Sequence, residues 1–327
     1  MTISGNAAQT DPATAMEKSI PALEPGRIIA IGGAKGGVGK SIFAANLGTF
    51  LARQGKKVVL IDLDLGGANL HLYMGVWALK HRINDFLDKK VAGLEEIAVR
   101  TPHGPLLIGG GSSRLGAPNL PFVRKLKLIR AVKKLSADHV IIDLGGDTSF
   151  NILDFYLAAD TGLVMTTCDP ASYMDAYIFI KMGLYRRLAR LFGPESGWHK
   201  LKDDTVKRII ADFLDQPGNT NGHGIGHLLE RIGSEAPSKA YLVKNAIESF
   251  RPRLLVNMAK SPSETRDLVT RLRKVALRML AVEVEFAGAL PPDPKVAQSA
   301  HDLVPDVAGN PDGVLAGFLG GMCRKLI

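Results

Sequence analysis

Cysteine is nearly absent. The 327 residues contain two, Cys168 and Cys323, far apart and in no Cys-x-x-Cys pattern. Neither a disulfide framework nor a cysteine-built metal cluster is therefore indicated. Aromatic residues are also sparse, at 6%, against 46% hydrophobic, the balance of an ordinary globular α/β protein. No apolar run reaches the roughly 18 residues needed to span a bilayer. Residues 1–25 are rich in Ala, Thr, Ser and Pro and lack a basic start followed by an apolar core. They read as a disordered lead-in rather than a signal peptide, which places the protein in the cytoplasm. Acidic charge is in deficit, with 32 Asp and Glu against 41 Lys and Arg and a net charge of +9. Such a balance favours anionic partners: a nucleotide, nucleic acid or an acidic membrane surface. The length allows one large domain, or one domain with an insertion.

What the chain does have is the stretch Ile31-Gly32-Gly33-Ala34-Lys35-Gly36-Gly37-Val38-Gly39-Lys40-Ser41. It joins an apolar strand-like segment, 27–31, to a helix-like segment, 41–53. A glycine-rich loop entering a helix presents consecutive backbone N–H groups to an anion. Gly36, Gly37, Val38, Gly39 and Ile42 are the expected cradle, Lys40 reaches the terminal phosphates, and the Ser41 hydroxyl ligates Mg²⁺, as in a P-loop. Two more apolar runs end in acids: Val58-Val59-Leu60-Ile61-Asp62-Leu63-Asp64, followed by a glycine turn, and Val140-Ile141-Ile142-Asp143-Leu144-Gly145-Gly146. A carboxylate at a strand tip, here Asp62 or Asp143, can hold the water shell of Mg²⁺, which prefers oxygen ligands and keeps several waters.

Strand patterns at 27–33, 57–63, 105–109, 139–144, 161–168, 252–258 and 284–290 alternate with helix patterns. The latter lie at 40–54, 119–135, 148–159, 172–192, 263–280 and 311–326. This alternation predicts an α/β fold, a doubly wound, mostly parallel sheet with helices on both faces, with ligands at the C-terminal ends of the strands. The division expected is an ATPase domain over 26–192 and 251–327, interrupted by a mainly helical insertion at 193–250. Gly222, Gly224 and Gly226 argue against a regular helix around His223 and His227. In 122–135 the apolar spacing predicts that Arg124, Lys125, Lys127, Arg130, Lys133 and Lys134 occupy solvated helix faces.

The run Lys35 to Ser41, with its second lysine, resembles the deviant Walker A loop of the MinD/ParA family of P-loop ATPases. Asp64 to Leu70 and Val140 to Gly146 extend the resemblance to that family's switch and Walker B segments. Leu65-Gly66-Gly67-Ala68-Asn69-Leu70-His71, with Tyr73-Met74-Gly75-Val76, is similar to the subgroup of flagellar-number regulators (FlhG/FleN) and to MinD. The resemblance implies ATP/ADP with Mg²⁺, and a catalytic set of Lys35, Lys40 and Asp64. Lys35 would reach the partner's nucleotide in an ATP-dependent homodimer, and Asp64 would orient the attacking water. It also implies Asn257 on adenine, with Pro291, Pro292 and Asp293 closing over the base; locally, the Pro-Pro pair is equally a strand terminator.

The function so implied is a slow, dimerising ATPase switch. It would position or number a flagellar, polar or division assembly with a protein partner, peripherally on the inner membrane. A DNA-associated partition ATPase of the ParA kind is the alternative, and a biosynthetic enzyme of the same fold the less favoured one. The C-terminal segment 311–327, with Leu315, Phe318, Leu319, Met322, Cys323 and Leu326 in one stripe, reads either as a packing helix or as a membrane anchor. Asp147 in the second switch reads either as a helix cap or as negative charge near the γ-phosphate.

Overall fold

The computed structural model describes residues 26–64, 67–111, 120–193, 196, 199, 204–215 and 224–326. The lead-in 1–25, Leu65 and Gly66 of the first switch, and His223 lie outside the described residues. The described residues form one sheet of eight strands: β1 (Arg27–Gly32), β2 (Val58–Leu63), β3 (Val99–Arg100), β4 (Leu106–Ile108), β5 (His139–Leu144), β6 (Thr161–Thr166), β7 (Arg253–Val256) and β8 (Glu285–Ala289). Their order is β3-β4-β2-β5-β1-β6-β7-β8. All neighbours pair in parallel except β3 with β4. The doubly wound sheet expected from the alternating pattern is thus present, with a two-residue antiparallel edge that no sequence pattern announced.

The central strands β1, β2, β5, β6 and β7 are largely apolar because both sheet faces are covered there, while the edge strands β3 and β8 are only partly buried. Side chains alternate across the sheet. Ile28 and Ala30 of β1 join one core, while Ile29 and Ile31 join the other. The helices are α1 (Lys40–Arg53), α2 (Leu70–Tyr73), α3 (Ile83–Leu87), α4 (Phe122–Val132), α5 (Phe150–Ala158), α6 (Pro170–Ala189), α7 (Asp204–Asp215), α8 (Ile225–Glu235), α9 (Ala240–Glu248), α10 (Pro262–Leu280), α11 (Pro294–His301), α12 (Asp306–Gly309) and α13 (Val314–Leu326).

The helices α7, α8 and α9 fill the long connection between α6 and β7. Their apolar faces, among them Ile209, Phe213, Leu228 and Leu242, merge with the core over α4, α5, α6 and α10. α8 begins at Ile225 with Gly224 as its N-cap and runs through Gly226 and His227, so Gly226 does not break the helix; burial of Ile225, Leu228 and Ile232 outweighs its weak propensity. Gly222, like His223, lies outside the described residues.

Two further expectations change. In α4, Lys125 is buried and Val123 is exposed, so the helix is rotated from the phase that its spacing suggested. Leu128, Val132 and the following Leu135 set the phase. Lys125 can turn inward because Asp154 of α5 receives it at 2.6 Å, and Arg186 of α6 binds the same carboxylate at 2.7 Å. At the other end of the chain, α13 lays Leu315, Leu319 and Met322 into the core that contains Phe43, Leu47 and Leu51 of α1. Its apolar stripe therefore faces protein. Each such burial is worth about 1.5–3 kcal/mol.

Candidate nucleotide site

The loop 33–39 leaves β1 between its neighbours β5 and β6 and enters α1 at Lys40. In an open α/β sheet the crevice at such a strand end is where ligands bind. The loop turns through Gly37 and Gly39, at φ +79° and +94°, a left-handed region that other residues rarely adopt. A side chain at Gly39 would also collide with Asn257 Nδ2, 2.5 Å from where its Cβ would lie. From the other side Gly146 presses on the loop: a Cβ there would lie 2.8 Å from the Gly36 nitrogen. The second switch segment and the phosphate loop thus touch backbone to backbone.

Lys40 is buried, and its Nζ donates to the Lys35 carbonyl at 2.9 Å, folding the loop onto its own lysine. Burial lowers its pKa, while the charges of Asp143, Asp64 and Asp147 act in the opposite sense. Four groups expected to work together are thereby brought together: Lys40, Asp64, Asp143 and, through its hydrogen bond to Asp143, Ser41. Lys35 does not point into this group. Its Nζ makes an ion pair with Asp169 at 3.3 Å, on a half-exposed rim. Asp169 is the N-cap of α6 and also accepts from Ser172 N at 3.1 Å. Its local signal, Asp before Pro170 at a helix start, marks a cap rather than a partner.

Asp62 and Asp143 stand side by side in the β2–β5 register and are both buried. Burial pushes Asp143 up to about 8, and the negative charge of Asp62 beside it adds to this. Asp62 rises to about 6, again through burial, although backbone N–H groups of Leu70 and Asp64 work against the shift. Those two bonds, each 3.0 Å, engage both Asp62 oxygens and shape the turn after β2. Asp143 Oδ1, in contrast, is buried without a hydrogen-bond partner. A hard divalent cation fits this donor set: an unpartnered carboxylate oxygen, the Ser41 hydroxyl and an excess of negative charge. Among the described residues no three His, Cys, Asp or Glu side chains converge to enclose an ion. Further ligands would come from water and phosphate oxygens, which suits Mg²⁺.

Asp64 accepts from Gly67 N at 3.0 Å, and its carboxylate lies against Gly145. Asp147 accepts from Ser149 N at 2.6 Å just ahead of α5. The N-cap of α5 is Ser149, and no side chain caps its first turn, so Asp147 is not the cap; it does stand close enough for its charge to act on Lys40.

Beside the loop lies a cavity of about 420 Å³ lined by Gly37, Ile42, Asn257, Leu290, Pro291 and Pro292, with Asp293 at its edge. The size and apolar walls suit a planar base. Here Asn257 Nδ2 donates to the Val38 carbonyl at 2.9 Å, and its Oδ1 accepts from Met258 N at 3.0 Å. Asn257 thus ties the end of β7 to the phosphate loop as well as lining the cavity. Asp293 caps α11 through Lys295 N at 2.9 Å. Leu290 and Val296 complete the wall; the sequence marked neither, since nothing distinguishes a cavity leucine from a core one.

Comparison with known proteins places the chain. The CobQ/CobB/MinD/ParA nucleotide binding domain matches residues 29–305. The antiactivator FleN of Pseudomonas aeruginosa is 26% identical over 286 residues, covering 87% of this chain and 80% of that protein. The flagellum site-determining protein YlxH of Helicobacter pylori is 34% identical over 202 residues, 58% of this chain and 59% of that one. Among solved structures, MinD in the Aquifex aeolicus MinC:MinD complex superposes with a TM-score of 0.58 at 20% identity, covering 91% of this chain and 95% of that one. The MinD of Pyrococcus horikoshii complexed with Mg-ADP gives 0.57 at 17%, covering 91% and 95%. At such identities these structures establish the shared fold.

Proposed function

The chain belongs to the CobQ/CobB/MinD/ParA nucleotide-binding family, and from that premise we propose that it is an ATP-driven dimerisation switch which sets the site or number of a flagellar, polar or division assembly. The observation that carries the proposal is the convergence of Lys40, Ser41, Asp64 and Asp143 on one glycine-rich loop, in a chain similar to FleN and YlxH.

In this reading the loop N–H groups and Lys40 hold the β- and γ-phosphates and stabilise the charge that develops on transfer to water. To do so, Lys40 exchanges the Lys35 carbonyl for phosphate oxygen. Mg²⁺ would supply neutralisation of the phosphate charge. Ser41 would ligate the ion, with Asp143 and Asp62 holding its waters. Asp62 would further act by fixing the turn that carries Asp64, and Asp64 would accept a proton from the attacking water and orient it. Asn257, Pro291 and Pro292 would hold the base. Lys35 would leave Asp169 and cross to the nucleotide of a second copy, so that hydrolysis is slow in the monomer and the dimer is the signalling state.

The setting proposed is cytoplasmic, with peripheral contact at the inner membrane. Among the described residues no helix is long and apolar enough to cross a membrane. Contact through α13 would require that helix to leave α1, at the cost of exposing Leu315, Leu319 and Met322. One observation favours the partition alternative. The exposed face of α10 carries Arg266, Arg271, Arg273, Lys274 and Arg278, a stripe that suits a phosphate backbone.

Cosedimentation of the full chain with acidic liposomes, or with duplex DNA, in ATP–Mg²⁺ and in ADP, separates the two readings. ATP-dependent binding to liposomes supports the positioning switch. ATP-dependent, salt-sensitive DNA binding moves the protein to the partition class. A chain that stays monomeric with ATP and binds neither surface contradicts both.

A further inference from the structure

Far from the nucleotide loop, at the C-terminal ends of α5 and α6, lies a second cavity of about 370 Å³. It opens between α4, α5, α6 and α9 and is lined by residues of each. Arg187, which lines it, stands 17 residues beyond Pro170 at the start of α6, about 25 Å along the helix. Nothing in the nucleotide chemistry accounts for this cavity.

Its walls have a dual character. Leu126, Ile129 and Leu157 give an apolar floor, and Phe122 at one side carries the Arg190 guanidinium over its ring at 3.9 Å. Against that floor the charge is strongly positive. The acid among the described lining residues, Asp154, is already held by Lys125 and Arg186. Lys133 sits exposed at the rim and makes no ion pair among the described residues. Arg187 is the decisive group. Its Nη2 donates to Ser249 Oγ at 2.8 Å, but its Nε is buried and has no acceptor. Burial lowers the pKa of this guanidinium. A buried cationic N–H without an acceptor is costly, and the Nε edge of a guanidinium is the fork that takes carboxylate or phosphate oxygens.

We propose that this cavity binds a small amphipathic oxyanion, a phosphate or carboxylate carried on an apolar or aromatic body. The Arg187 side chain, which lines the cavity, would turn its shielded Nε edge to the oxyanion, with Lys133 at the rim, and the body would lie on Leu126, Ile129 and Leu157. The volume is in the range of small-ligand pockets. Because α9 belongs to the connection between α6 and β7, the ligand would bridge that connection to the sheet-covering helices.

Calorimetric titration of the full chain tests this, using phenyl phosphate, inorganic phosphate, and vesicles of equal phosphatidylcholine and phosphatidic acid. Each runs with and without Mg²⁺–ADP, so that heat which survives ADP belongs to the second cavity. The expected result is saturable phenyl phosphate binding with ADP present, tighter than inorganic phosphate, and weakened about tenfold by Arg187→Gln. Vesicles binding in the same Arg187-dependent way, and competing with phenyl phosphate, would assign the oxyanion to a lipid headgroup; phenyl phosphate without vesicle binding would assign it to a free ester. If Arg187→Gln fails to fold, Lys133→Gln at the exposed rim serves instead, with weaker binding and an unchanged melting temperature expected. Binding that ADP abolishes, or equal affinity in wild type and both variants, overturns the proposal.

Discussion

Asp154 and Asp143 are both largely shut off from water, and their surroundings differ in one respect. Asp154 on α5 is met by Lys125 from α4 and by both Nε and Nη2 of Arg186 from α6, at 2.6 to 2.8 Å. Burial alone would raise its pKa, but the hydrogen bonds from Arg186 and Lys125 outweigh it and hold the carboxyl below its usual value. Asp143 at the tip of β5 has the Ser41 hydroxyl, a second acid beside it and an oxygen without a partner. Its pKa moves the other way. One acid is completed by the chain and so joins three helices. The other is left incomplete, and a buried acid with a strongly raised pKa and an unpartnered oxygen is the sign of a group that comes from outside.

Removing each acid sharpens the contrast. Asp154→Ala strands two buried cations and should cost about 3–5 kcal/mol of stability in urea denaturation. Asp143→Asn should cost less than about 1 kcal/mol in the same measurement, because burial already keeps this acid largely protonated in the nucleotide-free protein and a neutral amide of similar size replaces it. Equal losses would break the comparison and make Asp143 a structural acid. Next in size is the chemistry of the incomplete site. Asp64→Asn should lower ATP hydrolysis by at least about a hundredfold while ATP binding persists, measured by phosphate release against fluorescent-nucleotide titration.

The pH dependence carries the same contrast with opposite signs. Asp143 and Asp62 hold protons in the folded state that the unfolded chain releases near pH 4. Stability of the nucleotide-free protein should therefore fall as pH rises from there, up to about 6 for Asp62 and about 8 for Asp143, by up to about 1.4 kcal/mol per unit for each carboxyl within its window. Mg²⁺–ADP should flatten that slope, and Asp143→Asn should remove most of it; urea midpoints at pH 5 and pH 8 decide. Asp154 stabilises fully above the ordinary carboxylate range, and its contribution is lost as pH falls through its depressed pKa. The smallest effect belongs to the exposed rim. Asp169→Ala frees Lys35 from a screened surface pair, and should lower the ATP concentration for half-maximal dimerisation by no more than a few fold.

The contrast also explains what could be read in advance. The phosphate loop, the acid-tipped strands β2 and β5 and the doubly wound sheet were legible, because each is written in consecutive residues: glycines, β-branched runs, one acid at a strand end. Lys125 was not. Whether a lysine on an amphipathic helix faces water depends on Asp154 and Arg186, far along the chain and joined to it only by the fold. The same holds for Lys35, whose partner Asp169 reads locally as a helix cap, and for Asn257, whose bond to the Val38 carbonyl spans most of the chain. β3, α2 and α12 escaped because two to four residues carry no period. α13 stayed ambiguous because an apolar stripe is the same sequence feature whether α1 or a bilayer covers it.

In the proposed switch, the incomplete site makes an ATP-dependent dimer through Lys35. Sedimentation velocity of wild type and Lys35→Ala, each with ATP–Mg²⁺ and with ADP–Mg²⁺, tests it directly. The expected result is a dimer for wild type with ATP alone, and monomers in the other three conditions. A wild type that remains monomeric with ATP, or a Lys35→Ala variant that dimerises as well as wild type, would contradict the claim.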